Sequence, residues 1–403
     1  MPDKATIYDD LEVPTVINAT GTKTRISGSL MREEAADAMR DASRSFVRIS
    51  DLQQRASELV AEATSADAGY VTSGASAALS MAAAACLSGD DLEVMARLPD
   101  TEGVADEIVM PRTHRNGYDH ALRLPGATIV DIGTNDHHLG TGSENVEPWE
   151  IEAAITNDTA AVAYMEKPYT QPPLETVCEI AHDQDVPVIV DAAAELPPAE
   201  NLSRFVEQGA DLVAFSGGKA IRGPQSTGIL AGDEALIRSV ACQHLDMHAA
   251  DAVYDPPADL LATDELPGVP RQGIGRSMKV GKEEIVGLIR ALELFLEEDH
   301  GDCLRKWNER AEHLAAELAD ITGLETQLEG GDKTDAVAQV VATVDSGRAA
   351  TDATRLVESL RRETPRVFVG ADRLDAEEFT VNPMCLTDEE ADYVVDRIRA
   401  TLS

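Results

Sequence analysis

The sequence predicts an α/β protein: a mostly parallel sheet covered by helices on both faces, joined to a smaller α+β domain. Three observations predict it. Short β-rich runs alternate with helical stretches through the middle of the chain, the pattern of parallel strands with crossover helices. A long helical stretch then gives way to a mixed α+β pattern that ends in a capped amphipathic helix. The 403 residues amount to about two ordinary domains, and an apolar content of 43% is ample for a large core.

The elements follow in order. Residues 1–66 hold a short apolar strand at 15–19 and a helical stretch at 32–63, read as an arm with part of the smaller domain. The large domain, 67–280, carries the runs AGYVTSG (68–74), EIVMPR (107–112), ATIVDIG (127–133), AVAYMEK (161–167), PVIVDAA (187–193), LVAFSGG (212–218) and STGILAG (226–232). Helical patterns at 75–88, 147–155, 174–184 and 202–209 separate most of them. In such sheets ligands sit beyond the carboxyl ends of the strands. The stretch from Gly232 to residue 272 is rich in Asp, Pro and Ala and reads as an irregular, partly exposed connection. Residues 281–403 supply a linking helix at 282–298 and the smaller domain. Its last helix opens on Thr387-x-x-Glu390, a capping box, and carries Ala391, Val394, Val395 and Ile398 on one face.

Charge sets the chain apart. Lys and Arg number 34 against 73 Asp and Glu, a net charge of −39. The acids are spread through the whole chain, so the excess is a surface property. Such self-repulsion strains the compact state unless salt screens it, which predicts adaptation to a salty cytoplasm, as in halophiles. An acidic surface also argues against nucleic acid as a partner. No apolar run approaches the roughly 20 residues that span a bilayer. The amino terminus lacks the basic start and apolar stretch of a signal peptide. The five scattered cysteines never pair as C-x-x-C. A cytoplasmic chain without disulfides or a metal site is expected.

Lys219 sits in AFSGGKAIRGPQSTGIL, where a strand runs into a Gly-rich turn, in a chain with only eight lysines. Confinement lowers a lysine's pKa and makes its amine a nucleophile toward a carbonyl; the plainer alternative is a structural lysine at a turn. A phosphate-binding P-loop needs Ser or Thr after Gly-Lys, and Ala220 stands there instead. Asp191 ends the apolar strand upstream of it. There it either faces a ligand at the sheet's carboxyl edge or caps the next turn. Thr72-Ser73-Gly74-Ala75-Ser76 follows the first run and opens an Ala-rich helix, whose start can bind an anion; small residues also simply ease helix–sheet packing. Ser216 could add a hydroxyl to the same anion.

Together these residues resemble the fold-type-I pyridoxal-phosphate enzymes, and more narrowly the group of selenocysteine synthase and D-glucosaminate-6-phosphate ammonia-lyase. The likeness runs through VINATGTKTRISGS, VTSGASAALSMAAAACLSGD, EIVMPRTHRNGYDHALRLPGATIVDIGT, VIVDAA, the SGGK-x-x-x-GPQ-x-x-G block, GIGRSMKVGKEE and FTVNPMCL. It implies a mostly parallel seven-stranded sheet in a large domain beside a smaller α+β domain. It implies pyridoxal 5'-phosphate held by Lys219 as a Schiff base, with Asp191 as partner of the pyridine nitrogen. Ser73, Gly74, Ala75 and Ser216 become the phosphate cradle. His114 would lie over the cofactor ring, with Arg112 as competitor. Gly275 and Arg276 would reach a neighbouring subunit's phosphate, which implies a homodimer or larger homo-oligomer. Arg366 is the candidate for a substrate carboxylate, or else a solvated charge. Arg271, Arg276, Lys279 and Lys282 form a basic cluster that could hold a substrate phosphate or form interface salt bridges.

The activity implied is a lyase: α,β-elimination of a hydroxylated, sugar-derived amino acid with release of ammonia. The alternatives are selenium transfer on seryl-tRNA, aminotransferase or racemase chemistry, or a non-enzymatic scaffold. Two departures from the resembling enzymes argue against desulfurase-like chemistry. Ala192, Ala193 and Ala194 follow Asp191 where sulfur-transferring relatives often carry Gln, and Gly218 precedes Lys219 where many carry His.

Overall fold

The computed structural model describes residues 6–134, 146–167, 170–245, 249–263, 266–271, 273–330 and 337–402. The chain divides into two compact units, Met31–Glu298 and Met1–Leu30 with Asp299–Ser403. Strand β1 (Val16–Ala19) belongs to the smaller unit. The larger unit holds β2 (Ala68–Thr72), β3 (Glu107–Pro111), β4 (Thr128–Ile132), β5 (Thr159–Met165), β6 (Val188–Asp191), β7 (Leu212–Ser216) and β8 (Gly228–Gly232). The smaller unit resumes with β9 (Leu324–Glu329), β10 (Gln339–Val344), β11 (Arg366–Val369) and β12 (Glu378–Val381).

In the larger unit the sheet order is β2-β8-β7-β6-β5-β3-β4. The unbroken apolar runs are explained by burial on both faces. Alternate residues sort into two cores: Val188, Val190, Val213 and Phe215 into one, Ile189, Leu212, Ala214 and Leu230 into the other. The Ala75–Ser88 helix covers the second face, and its alanines let it lie close on the central strands. The helices Ile49–Thr64 and Lys282–Glu297 cover the first.

Strand β8 runs antiparallel to both neighbours. The link from Ser216 to Gly228 contains no crossover helix, and a parallel return needs one.

Two expectations are corrected. The stretch at 32–63 is two helices, Glu33–Ala42 and Ile49–Thr64, because residues 43–48 are all exposed and have no core to join. The connection after Gly232 begins with a regular helix, Glu234–Cys242. Asp233 caps it, accepting from Leu236 N–H at 3.0 Å, and Ile237, Val240 and Ala241 are buried at helical spacing.

In the smaller unit β1 pairs in parallel with β11, and β12-β10-β9 form an antiparallel sheet. Its core gathers Ile17, Leu314, Val340, Phe379 and Val394. The Thr387–Glu390 capping box opens the last helix: Thr387 Oγ1 accepts from Glu390 N–H at 3.2 Å, and Glu390 Oε2 accepts from Thr387 N–H at 2.9 Å. Among the described residues no helix is long and apolar enough to cross a membrane.

Candidate active site

The strand register brings distant residues to one edge of the large sheet. Met165 stands beside Asp191, Asp191 beside Ala214, and Ser216 beside Gly228, which pairs in turn with Thr72. Beyond that row Ser73 and Gly74 lead into the Ala75–Ser88 helix, and Gly217 to Gly223 form the turn that carries Lys219.

The helix start is an open cradle. Gly74 has φ +138°, a conformation that disfavours any side chain, and no side chain caps the helix. A Cβ on Gly74 would meet nothing within 4 Å, so its outer face is clear. On the inner side, a Cβ on Gly228 would fall 2.4 Å from Gly74 C and 2.6 Å from Ala75 N. Strand and helix therefore touch backbone to backbone. The helix dipole at such a start favours an anion, and Ser73, Gly74, Ala75 and Ser216 are all half-buried around it.

Lys219 is half-buried in a closed turn: Gly223 N–H donates to Gly217 O at 2.9 Å, and Arg222 N–H to Lys219 O at 3.1 Å. Gly218 has a steric reason, since a Cβ there would lie 2.5 Å from Gln225 Cα. A histidine at that place has no room.

Asp191 accepts from Ala193 N–H at 3.1 Å. Burial pushes its carboxyl pKa up, while that N–H, Lys219 and Lys167 pull it down. The carboxylate and both ammonium groups thus share one electrostatic neighbourhood. Asp191 also lines a small cavity with Met110, Asn116, Tyr118, Ala163 and Tyr164.

His114, after β3, is buried, whereas Arg112 two residues earlier is exposed. Its ring meets Tyr164 edge to face, centroids 4.8 Å apart, and Met165 N–H donates to Nδ1 at 3.4 Å. That bond assigns the proton to Nε2. Nε2 is buried with no hydrogen-bond partner among the described residues, although the Gln171 backbone is near enough to act on the ring. Burial pushes the imidazole pKa down to about 4, so the ring is neutral near pH 7.

Beside Asp191 the structure adds charges that the sequence pattern did not single out. Lys167 pairs with the buried Glu195, and Glu166 N–H donates to Asp191 O at 3.0 Å. Glu166 is itself buried, and burial pushes its pKa up to about 7 against the pull of Arg204 and Lys167.

Other expected residues stand elsewhere. Gly275 packs on Gln243 and Met81, Arg276 is half-buried, and Lys279 and Arg271 are exposed. Arg276 and Lys279 act on His244, whose pKa is pushed to about 4 by burial first and by these cations second. His244 Nδ1 in turn meets Tyr70 Oη at 2.6 Å. Neither Tyr70 nor His244 carried a sequence signal, since their partnership exists only through packing. Lys282 turns inward to Ala42 O at 2.7 Å and to Glu283, which removes it from the basic cluster. Arg366 opens β11 in the smaller unit and is exposed.

Comparison with known proteins is consistent over nearly the whole chain. The family model Aminotransferase class-V matches residues 28–341. D-glucosaminate-6-phosphate ammonia lyase of Salmonella typhimurium is 30% identical over 98% of this chain and 97% of its own. The 5'-C-glycyluridine monooxygenase-decarboxylase of a Streptomyces species is also 30% identical, over 98% of this chain and 92% of its own. A solved D-glucosaminate-6-phosphate ammonia-lyase structure superposes with a TM-score of 0.79 at 29% identity, covering 99% of this chain and 98% of that one.

Proposed function

The chain belongs to the class-V aminotransferase family and is a pyridoxal-phosphate-dependent enzyme of fold type I, and on that premise we propose that it is an ammonia-lyase acting on a hydroxylated, sugar-derived and phosphorylated amino acid. The observation that carries the reading is the end-to-end likeness, in sequence and in fold, to D-glucosaminate-6-phosphate ammonia lyase.

The residues present suit the cofactor. The cradle at Gly74 has a clear outer face, a buried neutral imidazole, His114, stands after β3, and the half-buried Asp191 carboxylate stands near two lysines. Ser73, Gly74, Ala75 and Ser216 receive the phosphate, and His114 lies against the ring. When bound, the cofactor supplies an electron sink for a carbanion at the substrate's α-carbon. Asp191 would pair with the ring nitrogen, whose positive charge joins the Ala193 N–H, Lys219 and Lys167 in favouring the carboxylate against burial. The Lys219 amine would hold the cofactor covalently, and its Nζ would be the base that takes the substrate's α-proton. The β-hydroxyl leaves with a proton as water, and hydrolysis of the resulting enamine gives a keto acid and ammonia.

The protein acts as a homodimer or larger homo-oligomer in a salty cytoplasm, with Arg276 and Gly275 serving the neighbouring subunit's phosphate. Arg271 and Lys279 hold the substrate's phosphate, and Arg366 its carboxylate.

The test is ammonia release from D-glucosaminate 6-phosphate and related β-hydroxy amino acids, followed with an oxygen electrode in parallel. Ammonia without oxygen uptake supports the lyase. Oxygen uptake with carbon dioxide release moves the chain to the chemistry that its Streptomyces relative's name describes. Mixing Arg276→Ala subunits with Lys219→Ala subunits tests the shared site: activity returns in mixed dimers if Arg276 works across the boundary.

A further inference from the structure

The turn that carries Lys219 presents two backbone carbonyls to one distant residue. Arg32 N–H donates to Arg222 O at 3.1 Å, and Arg32 Nε donates to Ile221 O at 3.3 Å. The other edge of the same guanidinium is bidentate on Glu298, Nη1 to Oε1 at 3.2 Å and Nη2 to Oε2 at 2.6 Å. The Arg32 side chain is 11% exposed and that of Glu298 23%, so the pair is largely shielded from water and salt. Arg222, one of the two residues gripped, has φ +59°, a left-handed conformation that costs a non-glycine residue and persists only where its surroundings hold it. Met31 and Glu298 are also the two ends of the larger unit, so the ion pair ties both chain ends to the lysine turn.

We propose that Arg32, oriented by Glu298, is a positioning residue for Lys219: it clamps the Ile221–Arg222 corner and so sets where the Lys219 amine stands. The inference rests on the reading of Lys219 as the cofactor's covalent lysine. The chemistry requires arginine. A planar guanidinium can hold a carboxylate with two N–H groups and still offer Nε to a carbonyl, whereas an ammonium is a point donor without that fork. Shortening Arg32 removes the Nε donor from the Ile221 carbonyl and the bidentate guanidinium from the Glu298 carboxylate. The turn then samples positions from which the amine reaches its target less often.

The experiment uses the full-length chain, stripped of cofactor and then supplied with pyridoxal 5'-phosphate. Borohydride quenches at timed intervals trap the pyridoxyl group, and peptide mapping counts it on Lys219. Arg32→Ala and Arg32→Lys should load Lys219 about ten- to a hundredfold more slowly than wild type, the scale of a roughly 1 Å misplacement. Glu298→Gln should fall between them and wild type. Millimolar guanidinium should restore part of the rate in Arg32→Ala and none in Arg32→Lys, a response that general loss of stability does not produce. Circular dichroism identifies the folded variants. If Arg32→Ala fails to fold, Arg32→Lys and Glu298→Gln carry the comparison. Wild-type rates in the folded Arg32 variants overturn the clamp while leaving the site reading intact. A wild-type label on another lysine overturns both.

Discussion

Asp191 carries an electrostatic conflict on which its proposed role depends. Burial favours the neutral acid and raises the pKa, while the Ala193 N–H, Lys219 and Lys167 oppose it in part. Asp191→Asn keeps the shape and removes the charge. Without that charge the cofactor's ring withdraws electrons less well, so turnover should drop on the order of 10²–10³-fold, about 3–4 kcal/mol of barrier, with the Lys219 label retained. A fall of less than tenfold would deny Asp191 its role. Glu166 makes a separate prediction. Its folded pKa of about 7 lies above the ordinary 4.5, so its contribution to stability is fully present below 4.5 and lost as pH rises through 7. Thermal melts of Glu166→Gln should therefore match wild type near pH 5 and exceed it near pH 8; equal melts at both would contradict the assignment. His114 has the opposite sign. Its pKa of about 4 lies below the ordinary 6.5, so its contribution is present above 6.5 and lost as pH falls through 4. His114→Gln should flatten the acid side of the stability profile. Lys219 and Asp191 could be put forward from the sequence because Asp191 ends an apolar run and Lys219 follows one through a glycine pair. Glu166, Lys167 and Glu195 were not, since a charge beside a strand looks the same whether buried or solvated.

At the scale of elements, close approach accounts for what periodicity could not. The helix at 75–88 was readable to its ends from its small apolar residues and the glycine before it. Its contact with β8 was not readable, because Gly228 is an unremarked residue in STGILAG until the sheet places it against Gly74. Gly228→Ala should push the helix start off the strand, lowering stability by about 1–3 kcal/mol and weakening cofactor retention. Denaturant melts with and without pyridoxal phosphate would show both effects, and an unchanged midpoint would mean that the contact yields freely. The same logic covers Gly218, whose neighbour Gln225 belongs to the returning limb of the turn. Strand β8 and the Glu234–Cys242 helix show the limits of pattern: direction follows from the connection's length, and a Pro- and Asp-rich stretch can still open on a capped turn of helix.

For the whole molecule, charge is the dominant fact. At −39, repulsion among surface carboxylates opposes the compact state, and salt relieves it within a Debye length of about 10 Å at 0.1 M. Melting temperature should rise steeply from dilute to molar potassium chloride; a flat response would remove the halophile reading. Local pattern by itself determined the alternation of strands and helices and the acid excess, and it put Lys219 and Asp191 forward as candidates, because each is written in neighbouring side chains. Pattern changes near residues 66 and 280 mark where composition shifts, whereas packing draws the larger unit from Met31 to Glu298, since the Glu33–Ala42 and Lys282–Glu297 helices pack on each other and the latter on Ile49–Thr64, which lies on the sheet. Only the tertiary structure decided the sheet order, the reversal of β8, and the meetings of Tyr70 with His244 and of Arg32 with Ile221 and Glu298. Those depend on which distant segments share a buried surface, and burial is a property of the packed chain rather than of any stretch of it.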